Sequence, residues 1–258
     1  MSTPDRSRLE SELRVASLHR RVLATWQRAF PALTDPVDEP GTSVLSDPQP
    51  PPTAWVSLWP VGRRVVTRVA PDVAEQLQAV LDRLPPGHRL IADDVATCWP
   101  DRPAERAPQR LHALDPATFR PASPAPDQQL RELTEVDRYD FEQFLGRCSP
   151  DDREEGDVDI GGEHELTMAV QADGRIVAVA SMFPWRGFSD LGVMTAPQLR
   201  RQGTGKAAVS ALCERLLHGP RVVLYRYALD NLGSAGLARS LALAPIGVAE
   251  SVRPGDAA

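Results

Sequence analysis

The sequence is poor in cysteine and has no long hydrophobic run. Its 258 residues include only Cys98, Cys148 and Cys213, which are far apart and show no C-x-x-C spacing. They fit neither a disulfide framework nor a zinc site, so we expect a reducing cytoplasm and no metal. No uncharged apolar stretch approaches the ~18 residues of a membrane helix, and the first residues lack a signal-peptide core. We therefore expect no membrane association.

The chain has no excess of positive charge, and lysine and asparagine are scarce. The net charge of −6 argues against a protein that binds nucleic acid by neutralising phosphates. Lys206 is the single lysine and Asn231 the single asparagine of the chain. Codon bias in a GC-rich genome explains the scarcity of both types, but it does not explain why the two survivors lie in one segment. We infer that a site in that segment requires them.

Proline divides the chain into two parts. Nineteen of the 25 prolines precede residue 127, which predicts a domain boundary between residues 126 and 127. On the N-terminal side, residue spacing predicts a helix, two proline-rich irregular stretches and a β-β-α-β region. These elements are the helix 7–30, the irregular stretches 31–53 and 95–126, the strands 55–59 and 64–69, the helix 71–84 and the short strand 89–92.

The second part, residues 127–258, has regular periodicity. A helix is predicted over 130–148, with Thr134 as its cap and Asp137 at its positive end. Asp173-Gly174 between two apolar runs predicts a β-hairpin. The complete order is the helix 130–148, a loop 149–162, strands 166–171, 176–183 and 190–195, a helix 203–217, a strand 222–229 and a helix 234–241.

The most informative segment joins the strand 190–195 to the helix that starts at Gly203. Free backbone N–H groups and the helix dipole favour an anion at such a helix start. Gly203 and Gly205 would let the backbone approach a pyrophosphate, and Arg201 and Lys206 would neutralise its charge. The segment therefore predicts a phosphate-binding site.

Two familiar phosphate loops fit less well. A Walker A loop would need glycine at Arg200 and serine or threonine at Ala207. Gly203-x-Gly205-x-x-Ala208 does match a dinucleotide fingerprint, with Asp230 as the ribose-binding acid. However, its glycines begin eight residues after the strand ends. The 28 residues after Asp230 are too few to complete a doubly wound sheet.

A third family is the better match. Arg200-x-x-Gly203-x-Gly205, preceded by Thr195-Ala196-Pro197, resembles the signature of the GCN5-related N-acetyltransferase (GNAT) superfamily. Asn231-x-x-Ser234 and the following helix resemble a downstream segment of that family, and the resemblance extends over about residues 128–250. It implies an α/β fold with a mixed, mostly antiparallel sheet flanked by helices. Residues 1–126 would be a degenerate second half or a cover over the substrate.

The resemblance also implies a coenzyme site for acetyl-CoA as co-substrate. The pantetheine arm would bond to main-chain groups of the strand 190–195, the pyrophosphate would lie on the helix start, and Asn231 would reach the cysteamine end. The implied coenzyme-binding residues are Val193, Met194, Thr195, Arg200, Arg201, Gln202, Gly203, Thr204, Gly205, Lys206, Asn231 and Ser234.

For catalysis, the resemblance implies direct attack of a primary amine on the thioester. Asp190 is the predicted base, with Glu163 and Glu165 as alternatives. Ala238 stands where many members have the tyrosine that protonates the leaving thiolate, so Tyr225 is the predicted substitute. We interpret His164 and His218 as surface residues.

The sequence leaves the acceptor amine open, whether small molecule or peptide, and predicts no nucleic-acid or membrane partner. A monomer or a homodimer is expected. Two alternatives to the acetyltransferase stay open: a catalytically silent acyl-CoA sensor and an NAD(P)-dependent oxidoreductase.

Overall fold

The chain divides into two compact units. The structure is a computed structural model that describes residues 6–49 and 55–255, with the side chains of the first helix described from Ser17 onward. The first unit comprises the chain up to Thr25 and His112–Ile246, and the second comprises Trp26–Leu111 and the chain from Gly247.

The units do not follow the predicted boundary between residues 126 and 127. Residues 112–126 are held to the first unit by hydrogen bonds: Leu114 N donates to Val223 O and Ala122 N donates to Ser210 Oγ. A proline-rich composition therefore did not mark the end of this unit.

Within the described residues, the secondary structure comprises seven α-helices and eleven β-strands. The helices are α1 Arg6–Ala29, α2 Pro71–Leu81, α3 Ala92–Ala96, α4 Arg138–Leu145, α5 Pro150–Gly156, α6 Thr204–Leu216 and α7 Leu232–Ser240. The strands are β1 Gly41–Ser46, β2 Val56–Val61, β3 Arg64–Val69, β4 Ala104–Arg106, β5 Gln109–Ala113, β6 Gln128–Leu133, β7 Leu166–Ala172, β8 Arg175–Trp185, β9 Phe188–Thr195, β10 Val222–Ala228 and β11 Ala244–Pro254.

The first unit is built on a sheet in the order β10-β9-β8-β7-β6. Every neighbouring pair in that order is antiparallel except β9 and β10, which are parallel. Asp173 and Gly174 both have positive φ, 49° and 71°, as the predicted hairpin turn between β7 and β8 requires. The fold class predicted from the sequence, a mixed and mostly antiparallel sheet flanked by helices, is confirmed.

Each face of this sheet is covered by a helical layer. Successive side chains of a strand point to opposite faces, so the apolar side chains of these strands are buried on both. On one face, Ala208 and Leu212 of α6 are buried with Leu191 and Tyr225 of the strands. On the other face, Phe141 and Phe144 of α4 are buried with Val179 and Met194. Side chains of β9 thus alternate between an α6 side and an α4 side.

The second unit has its own sheet, β1-β3-β2 with the C-terminal part of β11 beside β2. Leu77 of α2 is fully buried among Val56, Leu58 and Val65 of this sheet. The helix starts at Pro71, whose fixed φ suits the first helical position.

Several predicted elements were wrong. Gln128–Leu133 is the strand β6, paired with β7 along its whole length, so the predicted helix 130–148 is confined to α4. The pairing of β6 with β7 determined the structure of this segment, although its apolar residues have helical spacing. The predicted loop 149–162 contains α5, which a Ser149–Asp152 capping box and Pro150 start. The strand predicted over 89–92 gives way to α3 from Ala92.

The proline-rich stretches are also more regular than predicted. The stretch 31–53 contains β1, and 95–126 contains β4 and β5. These strands add to sheets through long-range pairing, which proline content does not report. The run Pro50-Pro51-Pro52 lies outside the described residues.

Candidate functional site

The strands β9 and β10 separate partway along their length. They pair from Phe188/Val222 to Leu191/Tyr225, and both continue past the last pair, to Thr195 and Ala228. The pairing of β8 with β9 is continuous, so no bulge in β9 causes the separation. The result is an opening in the sheet beyond Leu191.

Main-chain groups of β9 point into this opening. Ala196 N donates to Val177 O of β8 at 2.9 Å, and alternate residues of a strand direct their N–H and C=O groups to the same neighbour. The main-chain groups of Val193 and Thr195 therefore point away from β8, toward β10. Met194 pairs with Val179 and its side chain is buried, so neither its backbone nor its side chain faces the opening.

The loop that follows β9 ends at an uncapped helix start. Arg201 and Gly203 both adopt positive φ, 63° and 86°, a conformation in which successive N–H groups form a concave cradle. Gly203 is the N-cap of α6 and supplies no side-chain acceptor. The first N–H groups of α6 are therefore left for an external partner.

The exposed residues of this loop are the ones predicted to meet phosphate. Arg201, Gln202 and Gly203 are exposed and Lys206 is half-buried. Gln202 Nε2 donates to Gln198 O at 3.2 Å, which fixes this side chain across the loop. Two cationic side chains and several N–H groups thus lie at the same helix end.

Gly205 and Thr204 point inward instead. Both are buried, and a Cβ on Gly205 would overlap Thr195 Oγ1. Thr204 Oγ1 is buried and has no hydrogen-bond partner among the described residues. The second glycine of the motif therefore lets α6 approach β9, and its side of the helix does not face a phosphate.

Helix α5 contacts two further residues predicted to bind coenzyme. Arg200 forms an ion pair with Asp152 at 2.6 Å, and Asn231 Nδ2 donates to Glu155 Oε1 at 2.5 Å. Asn231 also caps α7, because its Oδ1 accepts from Ser234 N at 2.8 Å. Asn231 and Arg200 thus have structural roles whether or not they bind coenzyme.

Asp190, the predicted base, lies in a buried ion pair. Its side chain is 2% exposed, and its Oδ2 accepts from Arg226 Nε at 2.7 Å. Burial raises the pKa of Asp190, and the Arg226 guanidinium opposes that rise. A carboxylate held this way has little access to an incoming amine, so the contact disfavours the predicted role.

A model of the acetyltransferase (GNAT) family matches residues 129–242. Residues 129–242 are a GNAT acetyltransferase domain.

Solved structures resemble the chain at low identity. They include a GNAT-family putative acetyltransferase from Novosphingobium aromaticivorans (16% identity, 61% of this chain and 69% of that chain, TM-score 0.47). Another is a GCN5-related N-acetyltransferase from Kribbella flavida (17%, 59% and 59%, TM-score 0.44). A functionally unknown conserved protein from Staphylococcus epidermidis gives 9%, 77% and 87%, with a TM-score of 0.49. Comparison with curated proteins gives no match.

The GNAT domain carries a buried tyrosine beside the opening. Tyr225 is 2% exposed, and burial raises the pKa of its phenol, while a hydrogen bond with the Ser234 side chain opposes that rise. Tyr227, two residues along β10, stacks on His112 with ring centroids 5.5 Å apart. Ala238 is fully buried on α7. The Tyr225 hydroxyl thus lies near Ser234, a residue predicted to bind coenzyme.

The remaining candidates lie around the start of β7. Glu163 is exposed, whereas Glu165 forms an ion pair with Arg221. His164 is not the plain surface residue we expected: its Nδ1 lies 2.8 Å from Ser181 Oγ and its ring is 5.1 Å from that of Phe183. No local sequence pattern predicts this contact, since Ser181 is 17 positions away.

The topology of the GNAT domain does not suit the dinucleotide alternative. A dinucleotide fingerprint follows directly after a strand of a parallel sheet. Here the residues Pro197–Leu199 form a 3-10 helix between β9 and the glycines, and the sheet is mostly antiparallel.

The residues that the structure describes hold neither a candidate metal-ligand cluster nor a candidate membrane helix. Within them, no group of three or more His, Cys, Asp or Glu side chains could hold a metal ion. No helix in the same part of the chain is long and apolar enough to span a bilayer.

Proposed function

We propose that the GNAT domain transfers an acyl group, acetyl in the simplest case, from acyl-CoA to a primary amine. The observation that carries the proposal is the opening between β9 and β10 beside the uncapped start of α6. An opened sheet offers unpaired main-chain groups to an extended polar arm, and an uncapped helix start offers N–H groups to a pyrophosphate.

The co-substrate would lie along β9. Its pyrophosphate would accept hydrogen bonds from the N–H groups of Arg201–Lys206, with the Arg201 and Lys206 side chains as counter-charges. Its pantetheine arm would bond to the Val193 and Thr195 main chain. The Val193 N–H is then the donor nearest the thioester carbonyl, whose oxygen gains negative charge during attack.

The chemistry is direct attack by a neutral amine, with both substrates held in one site. A base must first remove the ammonium proton, because a protonated amine has no lone pair. The leaving thiolate takes up a proton as the C–S bond breaks. Tyr225 is the proposed donor of that proton, because a phenol is protonated at neutral pH and burial raises its pKa further.

Two other functions differ from this one in what they bind. A silent acyl-CoA sensor would bind the same ligand in the same opening without turnover. An NAD(P)-dependent oxidoreductase would bind a nicotinamide dinucleotide. We propose a cytoplasmic enzyme, because its three widely spaced cysteines suit a reducing compartment, and we expect a monomer or a homodimer.

Thermal unfolding with acetyl-CoA, a longer acyl-CoA, free CoA and NADPH separates these functions. A ligand at ~100 times its dissociation constant should stabilise the protein by about 2.7 kcal/mol. We expect the acyl-CoAs to raise the melting temperature and NADPH to leave it unchanged. Release of CoA thiol with a panel of primary amines then distinguishes the enzyme from the sensor. Stabilisation by NADPH alone would refute the proposal.

A further inference from the structure

His164 is held in a defined position on the α4 side of the sheet. Its Nδ1 hydrogen-bonds Ser181 Oγ at 2.8 Å, and Ser181 is fully buried. The Asp159 N–H donates to the same hydroxyl oxygen at 3.3 Å, which limits the rotation of the serine. The Phe183 ring supports the imidazole from the side. These contacts hold the His164 ring in one orientation, whereas the ring of a solvated surface histidine can rotate.

This position is next to the opening between β9 and β10. Ser181 of β8 is directly opposite Gly192 of β9, and Phe183 is opposite Asp190. Directly opposite residues project to the same face, so His164 lies on the face that carries Asp190. Gly192 precedes Val193, the residue whose main chain points into the opening. Asp157 acts electrostatically on both His164 and Asp190, which places the two side chains in one environment.

The hydrogen bond to Ser181 leaves one ring nitrogen available. Because Nδ1 is engaged, Nε2 is the atom that can exchange a proton with an acceptor. Asp190 has no comparable freedom, since Arg226 holds its Oδ2 in a buried ion pair. Of the two groups on this face, the imidazole is the more exposed, since His164 is half-buried and the Asp190 side chain is 2% exposed.

The charges around the imidazole are acidic. Asp157, Asp159 and Glu163 all favour its protonated form, yet burial outweighs them and lowers the pKa of His164. Asp159 is neutralised by an ion pair with Arg138 of α4 at 2.6 Å. A histidine that is neutral near pH 7 can accept a proton, and the carboxylates of Asp157 and Glu163 would attract a cationic amine.

We propose that His164 Nε2 is the general base that deprotonates the acceptor ammonium, and that the acceptor is a cationic amine. The proposal rests on the acyltransferase function proposed above. An N–H bond of the ammonium breaks, its electron pair becomes the lone pair of the amine, and the proton moves to Nε2. The neutral amine then forms the C–N bond while the C–S bond breaks. The nitrogen loses its second proton as the amide forms, the thiolate takes up one proton to give CoA thiol, and Nε2 releases its proton to solvent.

The test compares His164→Gln with His218→Gln, a matched control at an exposed histidine. Acetyl-CoA affinity is measured by calorimetry. Both kcat and kcat/KM are measured against pH with an amine that the wild type acetylates. For His164→Gln we expect kcat to fall by ~10²-fold or more and the acetyl-CoA Kd to stay within about two-fold. The rising limb of the wild-type pH profile, set by a group below the ordinary histidine pKa of 6.5, should disappear. His218→Gln should match the wild type.

Two further variants keep the test decisive. Ser181→Ala removes the hydroxyl that contacts both the imidazole and the Asp159 N–H but keeps the imidazole itself. It should shift the limb without abolishing it, even where His164→Gln folds poorly. Imidazole added to His164→Ala should restore part of the rate. An unchanged limb in both His164→Gln and Ser181→Ala would overturn the base while leaving the acyltransferase intact. A wild type that binds no acetyl-CoA, or acetylates no amine, would remove the proposed function and the base with it.

Discussion

The hydroxyl oxygen of Thr195 is so close to Gly205 that it would overlap a Cβ at that position. Gly205 lies in the first turn of α6, and Thr195 is the last residue of β9. The glycine is therefore required where a helix packs closely on a strand. The motif predicted that Gly205 lets the backbone approach a phosphate. The open surroundings of Gly203 suit that role better.

Gly205→Ala should destabilise the protein. Overpacking of a buried contact costs about 1–3 kcal/mol, measured as the free energy of unfolding in urea. The double variant Gly205→Ala with Thr195→Ala should recover most of the loss, because it removes the overlapping oxygen. Gly236→Ala is the matched control: Gly236 lies in α7 with open space around it, so alanine should stabilise by up to about 1 kcal/mol. Equal effects at both positions would refute the contact.

Asn231 combines a helix cap with a predicted coenzyme contact, and a substitution can separate the two roles. Asn231→Ser keeps an acceptor for Ser234 N, whereas Asn231→Ala removes it. We expect Asn231→Ala to lower the free energy of unfolding by about 1 kcal/mol and Asn231→Ser to cost less. Both variants lose the amide donor, so both should weaken acetyl-CoA binding if the amide contacts coenzyme. Wild-type affinity in Asn231→Ser would leave the residue with its capping role alone.

The sequence predicted those parts of the fold that local pattern controls. The hairpin at Asp173-Gly174, the strand β9 and the helix α6 were predicted to within two residues at each end. The strand β6 was predicted as helix because its pairing with β7 depends on residues far along the chain. The glycine-rich loop after β9 could be singled out because its residues are consecutive, and its phosphate-binding role stays a prediction.

The partners of the site residues could not be predicted. Asp152 binds Arg200 across 48 positions of sequence and Arg226 binds Asp190 across 36. Only the fold brings such pairs together. The contact between His164 and Ser181 was missed for the same reason, and its histidine was interpreted as a surface residue.

Asp152 should make the stability of the GNAT domain depend on acid. The hydrogen bond from Ser149 and the ion pair with Arg200 hold the pKa of Asp152 below its ordinary value. A carboxylate with a depressed native pKa stabilises the fold at pH values above its unfolded pKa, near 3.9, and loses that contribution as pH falls through the native pKa. The wild type should thus exceed Asp152→Asn in free energy of unfolding above about pH 5, and the difference should vanish in stronger acid. A difference that does not vary with pH would contradict this assignment.

Arg226→Met should destabilise the protein strongly, because it leaves the Asp190 carboxylate buried without its partner. Removing one member of a buried ion pair costs about 3–5 kcal/mol. The loss should depend on pH. Burial already raises the pKa of Asp190, and without Arg226 the native pKa rises further above the unfolded value. The native state then binds a proton that the unfolded state does not, so stability increases as pH falls through the native pKa.

Urea unfolding at about pH 8 and about pH 5.5 measures this directly, and Arg226→Met should lose less stability at the lower pH. Arg226→Met combined with Asp190→Asn removes the buried charge and should recover much of the loss at the higher pH. Arg221→Met is the control for an arginine at a more exposed ion pair, with Glu165, and should cost no more than about 1 kcal/mol. An equal loss at both pH values, unrelieved by Asp190→Asn, would mean that Arg226 stabilises the fold by packing on Trp185, whose ring centroid lies 4.5 Å from the guanidinium carbon.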